Sequence, residues 1–174
     1  MTTASAAALF MVSAYWLPFF AFDRTAVLRG EFWRLATCHL THLDHQHALL
    51  NAVGCGLVLT VLRDSMSWKT ITAGVIILAS AISLASVVLW VRTDFAGFSG
   101  ILYGLATMAV FALRRRSPWL AGLIATVLIA GVVLGIAGYS RPWTADVAVH
   151  THVVGMAVGI WLGNWIRRNP SRAR

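Results

Sequence analysis

Apolar residues run through this chain in long unbroken blocks, not at amphipathic spacing. Six blocks approach the roughly 20 residues that a helix needs to cross the hydrocarbon core of a bilayer. They lie at approximately 4–22, 45–62, 70–91, 99–113, 118–138 and 145–166. The fourth is the shortest and opens in Ala96-Gly97-Phe98-Ser99-Gly100, so it is expected to begin below the membrane surface. The blocks predict an all-α polytopic membrane protein, a bundle of six transmembrane helices forming one domain over residues 1–174. The connection 23–44 stands apart, being too long for a hairpin and half apolar, with Trp33-Arg34 in its middle. It is predicted to lie in the interface and pack on the bundle, with Asp44 as N-cap of the second helix. The first block lacks a basic leading region and a clear cleavage site, so it reads as a span and not as a signal peptide. No appended soluble domain is expected.

Composition sharpens this picture. Hydrophobic residues make up 59% and charged residues 11%, against about 25% charged in a soluble globular domain. Such a chain cannot cover its surface with polar groups, and it is too apolar to stay disordered. Two cysteines rule out a disulfide scaffold. Cys38 and Cys55 would lie roughly 25 Å apart on one helix, beyond the reach of a bridge. The net charge of +8 does not indicate nucleic acid, because the basic residues are scattered between apolar blocks. They act instead as topology signals. With the N-terminus inside, nine (Arg63, Lys69, Arg114, Arg115, Arg116, Arg167, Arg168, Arg172 and Arg174) face the cytoplasm and five (Arg24, Arg29, Arg34, Arg92 and Arg141) face outward. Both termini are therefore expected in the cytoplasm. Trp33, Trp68, Trp90, Trp119, Trp143 and Trp165 fall near span ends, as interfacial anchors do.

Polar groups inside spans are costly and mark function by default. Here they are few: His42, His45 and His47 at the mouth of the second span, Asn51 within it, Ser99 and Tyr103 at the start of the fourth, and His150 and His152 in the sixth. All three spans run inward from the outer side, which brings Asn51, Ser99 and His152 to one layer near that face. Gly155, Gly159 and Gly163 form a stripe on the sixth span, and Gly100 and Gly104 form one on the fourth. Small-residue faces let backbones approach, so the two stripes are predicted to meet and bring Ser99 to His152. A serine hydroxyl becomes a nucleophile when a base takes its proton, and a neutral imidazole is such a base. The oxyanion formed on attack needs donors. The free N–H groups at the start of the fourth span, with His47 and Asn51, could supply them. Asp94 and Asp146 sit at the interface, so a Ser-His dyad is expected, without a third acidic member.

These residues resemble the rhomboid family of intramembrane serine proteases. The resemblance rests on Trp33-Arg34, on His42, His47 and Asn51 (H-x4-H-x3-N), on Gly97-Phe98-Ser99-Gly100 (G-x-S-G) with Tyr103, and on His152, Gly155 and Gly159 (H-x2-G-x3-G), in the family's order over about 29–163. It implies a rhomboid-like bundle of six helices, with Ser99 as nucleophile and His152 as general base. It implies an oxyanion site from the N–H groups of Phe98 and Ser99 with the side chains of His47 and Asn51. Tyr103 would pack on the His152 ring, and His42 would support the site. The compact form is similar to the bacterial rhombosortase branch, associated with Gly-rich C-terminal sorting signals. Tyr103 stands where that branch often carries His. The expected substrates are single-span membrane proteins with Gly, Ala or Pro near the outer face, met in the lipid of a bacterial cytoplasmic (inner) membrane.

The alternative class is a His-rich membrane protein that binds metal, or a transporter. The chain lacks H-E-x-x-H, His150 and His152 cannot share a helix face, and no two halves repeat. No metal or other cofactor is therefore expected. Trp33-Arg34 is read as fixing the outer loop, His39 and His45 as interfacial, His150 as meeting a loop or cavity partner, and the cysteines as filler. The block 118–138 is the candidate gate, and loop 92–98 is a candidate part of a lid.

Overall fold

The computed structural model describes residues 16–89, 94–138 and 148–169. Most of the first predicted span therefore lies outside the described residues, as do Trp90, Arg92, Arg141, Trp143 and Asp146. The helices are α1 (Leu17–Phe20), α2 (Arg24–Leu28), α3 (Arg34–Thr37), α4 (His45–Arg63), α5 (Trp68–Val88), α6 (Ser99–Leu113), α7 (Pro118–Ile136) and α8 (Val149–Arg168). Among the described residues the only strand-like pairing is a single antiparallel bridge between Phe22 and Phe95.

Helix starts follow local chemistry. The Asp44 carboxylate accepts from the His47 N–H at 2.7 Å, as the sequence predicts. Ser67 accepts from the Thr70 N–H at 3.2 Å, and Pro118 opens α7 where its missing N–H is no loss. Helix α8 departs from expectation. It begins at Val149, not at 145, so His152 lies in its first turn and not seven residues inside. Ala148 at the N-cap offers no side-chain acceptor to mark the start in the sequence.

Helices α4, α5 and α7 are long and apolar enough to cross a membrane. Helix α6 is apolar but has 15 residues. Helix α8 has 20, and its His150, His152, Asn164 and terminal arginines dilute its hydropathy. The outward face of α7, with Leu123, Val127, Ile129 and Val133 each more than half exposed, is a surface for lipid.

Helix α6 is the centre of the bundle, burying Gly100, Ile101 and the run Gly104–Ala109. It packs most widely on α8 and also touches α4, α5 and α7. The α6–α8 seam is backbone against backbone: a Cβ on Gly155 would collide with the Gly100 carbonyl oxygen, and one on Gly104 would come within 2.9 Å of the Gly155 carbonyl oxygen. The two glycine stripes meet as predicted. Helix α7 is peripheral and buries only Ala121 and Leu128.

Residues 23–44 fold onto the bundle through α2 and α3. Arg34 is buried and stitches the segment to α1, donating to Glu31 (2.7 Å), to the Ala21 carbonyl (2.8 Å) and to the Pro18 carbonyl (2.8 Å). Trp33 Nε1 donates to the Phe19 carbonyl at 3.1 Å. The pair thus fixes the outer segment, as read from sequence. His39 is not interfacial. It is buried against α5, with Nε2 2.9 Å from Ser83 Oγ and 3.2 Å from the Ala79 carbonyl. The Ser83 hydroxyl donates to the Leu35 carbonyl at 2.7 Å, so the imidazole must supply the proton in both of its contacts.

Candidate active site

Ser99 is the first residue of α6, and His152 sits in the first turn of α8. The glycine seam holds these two helix starts side by side and leaves Ser99 Oγ 2.9 Å from His152 Nε2. The opposite ring nitrogen, His152 Nδ1, is buried and meets no hydrogen-bond partner among the described residues. Among the described residues no carboxylate orients the ring. Its orientation comes from Tyr103, whose ring stacks on it at 4.0 Å between centroids and 3° between planes. The Tyr103 hydroxyl rests against Gly131 of α7, in the space a Cβ would fill.

His42, His47 and Phe98 come together at the loop that precedes Ser99, and Asn51 follows His47 one turn along α4. Gly97 has φ +144°, a conformation open to glycine, and a Cβ there would stand 2.8 Å from Cε1 of His47. The Gly97 N–H donates to the Cys38 carbonyl at 2.8 Å, which ties this loop to the outer segment. His42 and His47 meet edge to face at 5.3 Å. Burial, aided by the neighbouring His47 ring and opposed by Asp44, pushes the His42 pKa down to about 4, so the ring is neutral near pH 7. His42 Nε2 accepts from the Phe98 N–H at 3.4 Å. The Phe98 amide, expected in the oxyanion site, is therefore directed at His42. The Ser99 N–H belongs to the first turn of α6, where amides have no intrahelical acceptor. Asn51 is buried, and its Nδ2 has no hydrogen-bond partner among the described residues. Gly100 is where α6 and α8 touch: a Cβ there would lie 3.0 Å from the Thr151 carbonyl oxygen.

Sequence reasoning missed the support behind this layer. Phe95 stacks on Phe22 at 4.8 Å and meets the rings of His150 at 5.7 Å and His39 at 5.9 Å. Its carbonyl accepts from the Phe22 N–H at 2.8 Å. Residues 95–98 are thereby buried, where the sequence suggested part of a lid. His150 Nε2 lies 3.2 Å from Ser86 Oγ, whose own proton goes to the Ile82 carbonyl at 2.8 Å, so the imidazole donates. The partners of Phe95 come from three distant segments, and no local pattern joins them. Ser86 was findable as a hydroxyl in an apolar helix.

Among the described residues, no three His, Cys, Asp or Glu side chains gather as a metal site. A family model described as the Rhomboid domain matches residues 29–169. Among curated proteins none matches the chain.

Proposed function

The chain belongs to the rhomboid family, whose members are generally intramembrane serine proteases, and from that premise we propose that it is a serine endopeptidase that cuts membrane-anchored proteins within the bilayer. The observation that carries the reading is the 2.9 Å contact between Ser99 Oγ and His152 Nε2 at the buried joint of α6 and α8. Ser99 donates its proton into the Nε2 lone pair as Oγ attacks the scissile carbonyl carbon, and the imidazolium returns that proton to the leaving amine. Water then hydrolyses the acyl-enzyme, with His152 again the base. The oxyanion is met by the Ser99 N–H and by Asn51 Nδ2, with His47 beside them. Phe98 acts through its contact with His42, which holds the loop before Ser99, and Tyr103 keeps the His152 ring in plane. The metal-binding or transport alternative is not favoured by the family match.

The protein spans the membrane six times as a single domain, with both termini in the cytoplasm and the dyad near the outer face. Its place is the cytoplasmic (inner) membrane of a bacterium. A substrate helix hides its carbonyls in its own hydrogen bonds. Cleavage therefore selects single-span proteins whose helix unwinds at Gly, Ala or Pro near that face. Helix α7, with two buried residues, is the candidate gate. The narrower reading is a rhombosortase that removes a Gly-rich C-terminal signal.

A serine-directed fluorophosphonate should label Ser99 in the native protein and fail to label Ser99→Ala. Ser99→Ala and His152→Ala should each abolish cleavage of a reconstituted single-span substrate while eluting as folded protein. Full activity in either folded variant overturns the dyad. Mass spectrometry of a processed protein ending in a Gly-rich signal, an apolar stretch and arginines would locate the cut and test the narrower reading.

A further inference from the structure

The end of the bundle opposite Ser99 carries a feature that peptide cleavage does not use. Helices α6 and α8 both finish there in arginines, Arg114, Arg115 and Arg116 after α6 and Arg167 and Arg168 closing α8. Between them lies a cavity of about 250 Å³, in which Arg114, Arg115, Arg116 and Arg167 surround apolar walls from Met66 and Phe111. Ile166 forms part of this wall and also of a second cavity of about 480 Å³ between α5 and α8. The second cavity is an outward-facing furrow lined by Lys69, Ala73, Ile77, Trp161 and Trp165. Lys69, Ala73 and Ile77 recur every four residues along one face of α5, which gives the furrow a length of roughly 12 Å.

Helix ends alone do not explain this charge. A helix C-terminus presents about half a negative charge, so two ends call for about one cation, and five arginines stand there. Of the six acidic residues in the chain, Asp64 alone lies in a connection at this end. The one ion pair among the described residues is Arg34 with Glu31, in the outer segment. The arginines of the cavity are exposed, and no carboxylate lines it with them among the described residues. Fixed cations at a mouth, with an apolar furrow beginning one side chain away, fit a molecule with an anionic head and an acyl tail.

We propose that the arginine cavity and the adjoining furrow are a binding site for an anionic phospholipid. The phosphate sits among Arg114, Arg115, Arg116 and Arg167, and one acyl chain passes Ile166 and runs along α5 towards Trp161. The proposal needs the chain to lie in a membrane and does not depend on the protease chemistry.

The test is native mass spectrometry of the full chain released from vesicles of equal parts phosphatidylcholine and phosphatidylglycerol. One phosphatidylglycerol should stay bound in several-fold preference to phosphatidylcholine. Arg115→Gln with Arg167→Gln should lower the preference by about fivefold per arginine. Ala73→Phe keeps every charge and fills the furrow, and it should lower retention as well. Arg168→Gln removes an arginine that does not line the cavity and should leave the preference intact. Equal retention of the two lipids by the unaltered protein overturns the proposal without recourse to any variant. An equal loss in Arg168→Gln overturns it in favour of diffuse attraction. No loss in Ala73→Phe overturns the acyl-chain seat and leaves a lipid held by its headgroup alone. Lipid retention is read without cleavage, so an inactive Ser99 and a missing lipid site are separate results.

Discussion

Asn51 carries a buried amide donor with no partner among the described residues, a state that costs about 1–3 kcal/mol where nothing else satisfies the donor. In the proposed reaction its partner is the oxyanion, present only while substrate is being cut. Asn51→Ala should therefore lower turnover by about 10-fold or more with little change in KM, and it should leave the thermal midpoint unchanged or raised. A structural asparagine would give the reverse pattern, a lower midpoint with unaltered turnover. Steady-state cleavage of a reconstituted substrate, beside thermal unfolding in detergent, separates the two. Asn51, Ser99 and His152 were legible in the sequence because each is a polar group inside an apolar block, where its cost is visible without coordinates. His39 was not. In a loop a histidine reads as interfacial, and the hydroxyl that makes its burial tolerable, Ser83, is 44 residues away on another helix.

Among the elements, the α6–α8 seam matters most, because it sets the distance between nucleophile and base. Gly155 touches the Gly100 carbonyl, one residue beyond Ser99. Gly155→Val must prise the helix starts apart, so cleavage should fall to near background and the thermal midpoint should drop. A fully active, equally stable variant would show that the helices do not meet there. Helix α7 enters the same geometry through Gly131, whose Cβ position is held by the Tyr103 hydroxyl. Gly131→Ala should push the Tyr103 ring off His152 and reduce activity. Adding Tyr103→Phe removes the obstructing oxygen and should restore activity to the level of Tyr103→Phe alone. A plain packing defect in α7 would not respond to that second change. The apolar blocks gave the extents of α4, α6 and α7 to within a few residues, because hydropathy reports length directly. The start of α8 was misplaced by four residues. Hydropathy does not report where a helix begins when its N-cap side chain is an alanine methyl.

On the scale of the whole molecule, the outer segment 23–44 is docked on the bundle through His39 against α5, and that docking should depend on pH. His39 is held against α5 with its pKa lowered to about 4 by burial, an effect its hydrogen bond to the Ala79 carbonyl only partly opposes. His42, in the same segment, is lowered to about 4 by burial and by the His47 ring, against the pull of Asp44. The ordinary value for both is 6.5. Between pH 6.5 and 4 the unfolded chain thus binds protons that the folded chain refuses, and stability rises with pH across that window. The contribution is complete above about pH 6.5 and is lost as pH falls towards 4. The thermal midpoint should accordingly be flat above pH 7 as far as these groups are concerned and decline steadily below 6.5. His39→Gln offers Ser83 an amide donor that does not titrate, so it should make the decline shallower without removing it, since His42 still responds. An unchanged slope in that variant would mean that His39 is not held neutral against α5. A charged His42 would also lose the lone pair that accepts the Phe98 N–H. The loop that delivers Ser99 would then loosen before the bundle unfolds, and cleavage should fail at a higher pH than the one at which the protein melts at assay temperature.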